Sequence, residues 1–100
     1  PTKVYMPKFD FGQILSTPGA LEALTESSQS PNEFLDRHRN CDWGDMCEED
    51  RLLNDEAIVD GSRLFSSFKT RNGVKLWVIT EAKDDDGVRR ATTILLPEEY

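Results

Sequence analysis

Arg63-Leu64-Phe65-Ser66-Ser67-Phe68-Lys69, then Asn72-Gly73, then Val74-Lys75-Leu76-Trp77-Val78-Ile79-Thr80-Glu81 is the stretch that sets the fold class. Its period is that of strands. In the second run Val74, Leu76 and Val78 point one way while Trp77 and Ile79 point the other, and Asn72-Gly73 is a hairpin signal because both residues tolerate positive φ. A further strand over 89–96 follows the turn Asp84-Asp85-Asp86-Gly87, so residues 61–100 read as a three-stranded antiparallel meander. Both sheet faces carry apolar side chains. One face can take helices. The other needs an N-terminal arm bearing Tyr5, Phe9 and Phe11, or a second subunit docked through Phe65, Trp77, Ile79 and Leu95.

Upstream of Gly61 the period is helical. Asp45 and Glu48 have the spacing of a capping box, predicting a helix through about residue 59, interrupted near Asn54-Asp55, with Met46, Leu53 and Ala57 inward and the acids outward. Ser30 and Glu33 repeat the spacing ahead of a helix that starts at Pro31 and puts Phe34, Leu35 and His38 on one face. Thr17-Pro18 predicts a helix over 18–27 that buries Ala20, Leu21 and Leu24. Residues 1–15 read as an arm with a short extended piece. The class is therefore α+β: an N-terminal arm and two to three short helices packed on the meander. One hundred residues suit one domain, divided into arm (1–15), helical half (16–60) and sheet (61–100).

Charge is unevenly placed. Residues 42–60 hold eight acids (Asp42, Asp45, Glu48, Glu49, Asp50, Asp55, Glu56, Asp60) against Arg51, a local −7 that equals the net charge of the whole chain. Elsewhere acids and bases balance. Such a chain lacks the basic face that phosphate neutralisation requires, which argues against nucleic-acid binding and favours basic partners. No apolar run is long enough to span a bilayer and the first residues lack signal-peptide order, so a cytoplasmic protein is expected, with Pro1 reflecting a removed initiator Met or a trimmed chain. Two cysteines make no disulfide framework.

Three kinds of chemistry deserve weighing. His38, Cys41 and Cys47 are soft ligands, but His-x2-Cys-x5-Cys matches no common zinc pattern, and neither metal nor cofactor is expected. His38 with Asp42 or Glu81 and an arginine such as Arg90 would be the set for a small hydrolase or nuclease-like enzyme, against which stands a helix-end histidine packed on Phe34. Asp42-Trp43-Gly44-Asp45 is either a recognition loop with Trp43 as anchor, or a turn in which Trp43 plugs the core, Gly44 takes positive φ and Asp45 caps the next helix.

Several segments together carry a resemblance: Thr17-Pro18-Gly19-Ala20-Leu21-Glu22-Ala23-Leu24, His38-Arg39-Asn40-Cys41-Asp42-Trp43-Gly44-Asp45 with Glu49-Asp50 and Asn54, Leu76-Trp77-Val78-Ile79-Thr80-Glu81 and Thr92-Thr93-Ile94-Leu95-Leu96-Pro97-Glu98-Glu99-Tyr100. From Phe9 onward the chain resembles a family of small bacterial proteins encoded on plasmids, prophages and other mobile genetic elements, some labelled restriction-system accessories. The resemblance implies no activity. Cys41, where a small residue such as Gly is expected, and the insert 83–87 depart from the pattern. The expected function is a non-enzymatic, acidic protein-interaction module that engages a basic protein, of the nucleic-acid-handling or defence type, through Asp42, Trp43, Asp45, Glu48, Glu49, Asp50, Asp55 and Glu56, with a homodimer through the sheet face as a further expectation.

Overall fold

A computed structural model of the chain describes residues 8–100. Strand β1 (Gln13–Ser16) leads into α1 (Pro18–Glu26), α2 (Pro31–Arg39) and α3 (Glu48–Asp60), followed by β2 (Leu64–Lys69), β3 (Lys75–Thr80), β4 (Ala91–Leu95) and a 3-10 turn, Pro97–Glu99. The α+β class holds, and β2, β3 and β4 pair antiparallel in sequence order. The sheet nevertheless has four strands rather than three. β1 joins β4 in parallel, Gln13 opposite Ala91 and Ser16 opposite Ile94, so the order is β1-β4-β3-β2. Four residues are too few to display a period; the free edge of β4, far away in sequence, is what makes residues 13–16 a strand.

The helix starts follow the sequence only in part. Thr17 caps α1 by accepting from the Ala20 N–H with Pro18 in the first turn. On α2 the Ser30 hydroxyl accepts from the Asn32 N–H, while Glu33 accepts from the Gln29 side-chain amide, so the reciprocal box is not closed. Asp45 does not cap α3: Cys47 holds that position without a side-chain bond, and the Asp45 N–H donates to the Ser67 carbonyl. The helix is unbroken at Asn54. Its inward residues are Asn54 and Ala57, with Met46 half-buried and Leu53 exposed; on α1, similarly, Ala23 takes the buried place expected for Leu21.

The core lies between the helices and one sheet face. Leu64, Phe68, Leu76, Val78 and Ile94 meet Ala20, Ala23 and Leu24 of α1 and Phe34 and Leu35 of α2, and Phe9, Phe11 and Trp43 complete the cluster. The aromatic residues Phe9 and Phe11 thus pack under the helices, not over the second sheet face. That face is topped by the C-terminal turn. Phe65 packs edge-on to Trp77 at 4.9 Å and Trp77 to Tyr100 at 5.9 Å, which leaves Ile79 and Leu95 buried without a second subunit. Glu99 holds the turn down by accepting from the Thr17 hydroxyl, the Gly19 N–H (3.1 Å) and the Leu96 N–H (3.0 Å). Tyr5 lies outside the described residues. The β2–β3 connection differs from a two-residue turn: Thr70 N–H and carbonyl bond Val74 and Gly73, and Gly73 alone, not Asn72, has positive φ.

The outer edge of β2 would expose unpaired backbone, a template for aggregation. Two devices close it. Asn54 accepts from the Phe65 N–H at 3.0 Å and donates to the Phe65 carbonyl at 2.7 Å; the Trp43 carbonyl accepts from the Ser67 N–H at 3.1 Å, and the Asp45 N–H returns the bond at 2.6 Å. Asn54→Ala is expected to cost about 2–3 kcal/mol, because both Phe65 groups lose their partners beneath a helix that still shields them from water. Urea denaturation checks the magnitude, and amide exchange checks the cause: protection of the Phe65 N–H should collapse ahead of its β3 neighbours.

Candidate functional site

The acidic segment becomes α3. Glu48, Glu49 and Asp50 lie in its first turn, where the unpaired N–H groups and the helix dipole favour negative charge. With only Asn54 and Ala57 buried, most of the helix faces solvent. Leu52 and Val59 are 56% and 86% exposed and stand seven residues, two turns, apart on the outer surface. Together with Asp55, Glu56 and Asp60 they line a shallow depression. Arg51, the only base in the segment, is turned away: its guanidinium donates to the Gly44 carbonyl at 2.5 Å and the Met46 carbonyl at 3.0 Å. Among the described residues no ion pair engages Glu48, Glu49, Asp50, Asp55, Glu56 or Asp60. The acids therefore form an uncompensated field around two aliphatic side chains.

Other residues expected at the site do not join it. Trp43 is 2% exposed, stacked 6.3 Å from Phe9 and edge-on to His38 at 5.5 Å, with its indole N–H donating to Asp55. It is a core residue, and the anchor reading is overturned by the demand for apolar volume beneath the turn. Asp42 pairs with Arg37 at 2.8 Å and accepts from the Gly44 N–H. The Arg37 hydrogen bond, ahead of other causes, holds its carboxyl below the usual range. Asp45 is exposed at the helix entrance.

The alternative set of His38, Asp42, Glu81 and Arg90 is not brought together by hydrogen bonds or ion pairs. Arg90 pairs with Asp84 and Asp86, and Glu81 is exposed. His38 is completely buried, enclosed by Phe9, Phe11 and Trp43, with Nδ1 2.5 Å from the Ser66 hydroxyl and Nε2 2.9 Å from Thr80 Oγ1. Thr80 Oγ1 lies 2.8 Å from Thr92 Oγ1, which donates to the Phe11 carbonyl at 2.9 Å. That carbonyl orders every proton in the chain. Since it can only accept, Thr92 spends its proton there, Thr80 must donate to Thr92, and Thr80 therefore accepts from Nε2–H of a neutral imidazole whose Nδ1 accepts from Ser66. Burial pushes the His38 pKa down to about 3.

Three residues missed at the sequence level had a readable signal. Ser66, Thr80 and Thr92 occupy inward positions of β2, β3 and β4, and polar residues in the buried phase of adjacent strands imply a buried polar partner. Leu52 and Val59 had none until the inward phase of α3 was known. Among the described residues no three His, Cys, Asp or Glu side chains converge as a metal site, and both cysteines are free thiols.

Fold and site together define a small α+β protein with an acidic, partly apolar helix on its surface. No family model, curated protein or solved structure matches the chain. No helix among the described residues is long and apolar enough to cross a membrane.

Proposed function

We propose that the protein is a non-enzymatic interaction module whose α3 outer face binds a basic protein surface that carries its own apolar contact. The observation that supports this most is the placement of Leu52 and Val59, exposed and two turns apart, among acids that form no ion pair with a base of the described residues. The two aliphatic side chains share one depression with Asp55, Glu56 and Asp60, an apolar patch rimmed by polar residues of the kind that docking faces carry. The division of labour follows from the chemistry. Glu48, Glu49, Asp50 and Glu56 steer the encounter, and Leu52 and Val59 supply the desolvated contact that Trp43, being buried, does not. Asp42 and Asp45 lie at the margin. The mobile-element setting and the choice of a nucleic-acid-handling or defence partner rest on the sequence resemblance alone.

Two variant sets separate the contributions: Glu48→Lys with Glu49→Lys and Glu56→Lys, and Leu52→Ser with Val59→Ser. In affinity capture from host lysate at low salt, the wild type is expected to retain a basic protein that both sets lose. Titration of that protein should show the charge set lowering the association rate about 10–100-fold with a weakened salt dependence, and the apolar set raising the dissociation rate. A partner retained equally by both variant sets, or one without a basic surface, would overturn the proposal.

A further inference from the structure

At the other end of α3 the charge reverses. A polar cavity of about 230 Å³ is lined by Lys8, Asp10, Lys83 and Arg89, with Phe9 and Ile58 as apolar walls. Three cations share it with one acid. Arg89 is 3% exposed; Nη1 donates to the Ser62 and Glu81 carbonyls at 2.7 and 2.9 Å and Nη2 to the Ala57 carbonyl at 2.9 Å. Its Nε–H is the one buried side-chain polar atom without a partner among the described residues. No carboxylate bonds it, and Asp60 acts on it only through space. A buried guanidinium bonded by carbonyls alone has no directly bonded counter-charge, a costly arrangement that a nearer anion would relieve. Neither lysine ammonium takes part in an ion pair among the described residues. In a chain of net charge −7, three cations converging on a concavity with apolar walls focus a positive field into it.

We propose that this cavity binds a small phosphate-class oxyanion, held by the Lys8 and Lys83 ammonium groups, with the buried Arg89 guanidinium as the fixed charge in its wall. Arg89 is held by the end of α3 and by the β2 and β3 termini, so it is preorganised, whereas both lysines are exposed and free to close on the ligand. The bound anion would add a close counter-charge and tie residue 8 to the 83–89 turn. Asp10 limits affinity by repulsion. The site is separate from the α3 docking face and does not depend on it.

The test uses the full chain, with inorganic phosphate titrated calorimetrically against potassium chloride at matched ionic strength, for wild type, Lys8→Gln, Lys83→Gln, Asp10→Asn and, as a remote cation, Arg63→Gln. Arg89 is left intact because it also ends α3. Saturable phosphate binding is expected, weakened about tenfold in each lysine variant, strengthened in Asp10→Asn and unchanged in Arg63→Gln. A parallel titration with phenyl phosphate separates sources: tighter binding assigns the site to phosphate monoesters, equal binding to free phosphate. Absence of saturable heat in the wild type, or lysine variants that bind as well as wild type, would overturn the proposal.

Discussion

Acidification from pH 7 to pH 4.5 is expected to cost the protein about 2.5 kcal/mol of folding stability through His38 alone. In the unfolded chain the imidazole takes a proton near its ordinary 6.5, whereas in the fold burial lowers its pKa to about 3. Between those values the unfolded state binds a proton that the folded state refuses. The stability contributed by the neutral ring is therefore complete above pH 6.5 and is lost as the pH falls toward 3, at about 1.4 kcal/mol per pH unit. The hydrogen-bond order explains why the ring does not accept the proton: a charged imidazole would turn Nδ1 into a donor facing Ser66, whose hydroxyl already points at it. Urea midpoints measured between pH 7 and 5 stay above the carboxylate range and isolate this group, and should already show about 1.9 kcal/mol of the loss. His38→Gln offers an acceptor and a donor but no titration, so its midpoint should stay nearly level over the same window. A wild-type midpoint that is also level would sink the assignment. His38→Ala, by contrast, should cost about 3–5 kcal/mol at neutral pH, from the cavity and the orphaned Ser66 and Thr80 hydroxyls.

Gly44→Ala is expected to destabilise the fold by at least about 3 kcal/mol, an effect out of proportion to one methyl group. Gly44 has φ +73°, and a Cβ there would stand 2.1 Å from the Ser67 carbonyl oxygen and 2.6 and 2.8 Å from two carbons of the Phe68 ring. Neither neighbour can give way, since Ser67 is bonded on both sides of Gly44 and Phe68 is in the core. The segment must lift off the β2 edge, breaking both bridging bonds and drawing Trp43 from under its turn. Gly73→Ala is the internal control. Gly73 has φ +82° but nothing within 4 Å of its would-be Cβ, so it should lose only the roughly 1 kcal/mol of a left-handed residue. Denaturation midpoints of the two variants, read with the shift of tryptophan emission, decide the matter; equal losses would mean that the close approach to Ser67 is not what Gly44 is for.

Both results bear on α3, because the Trp43–Asp45 turn and the helix are held by shared contacts. Arg51 bonds the Gly44 and Met46 carbonyls, Asp55 accepts from Trp43, and Asn54 lies along the same strand edge. Loss of the turn should therefore weaken any partner that reads the helix, whereas the apolar variants of the outer face should leave stability nearly unchanged and the charge reversals should cost only the roughly 1–2 kcal/mol of losing two acids at the α3 N-terminus. The contrast separates a scaffold effect from a binding effect.

Much of the fold was legible in local patterns. The Thr17-Pro18 start, the Phe34-Leu35-His38 face, the strand alternation after Gly61 and the concentration of acid in residues 42–60 all depend on nearest neighbours along the chain, so sequence alone determined them. The core role of Trp43 was one of two readings left open, and burial against Phe9 and His38 decided it. Tertiary structure decided the rest. Residues 13–16 become a strand because β4 offers a free edge, Asn54 turns inward because β2 needs one closed, and Leu53 turns outward as a consequence. Likewise, His38 changes from candidate catalyst to buried strut because Ser66 of β2 and Thr80 of β3 bond its ring and Thr92 of β4 bonds Thr80 in turn. Local periodicity records which face of a segment is apolar. It cannot record which unpaired backbone or hydroxyl group, dozens of residues away, will be waiting there, and at those places a polar residue buried with its partner outweighs an aliphatic one.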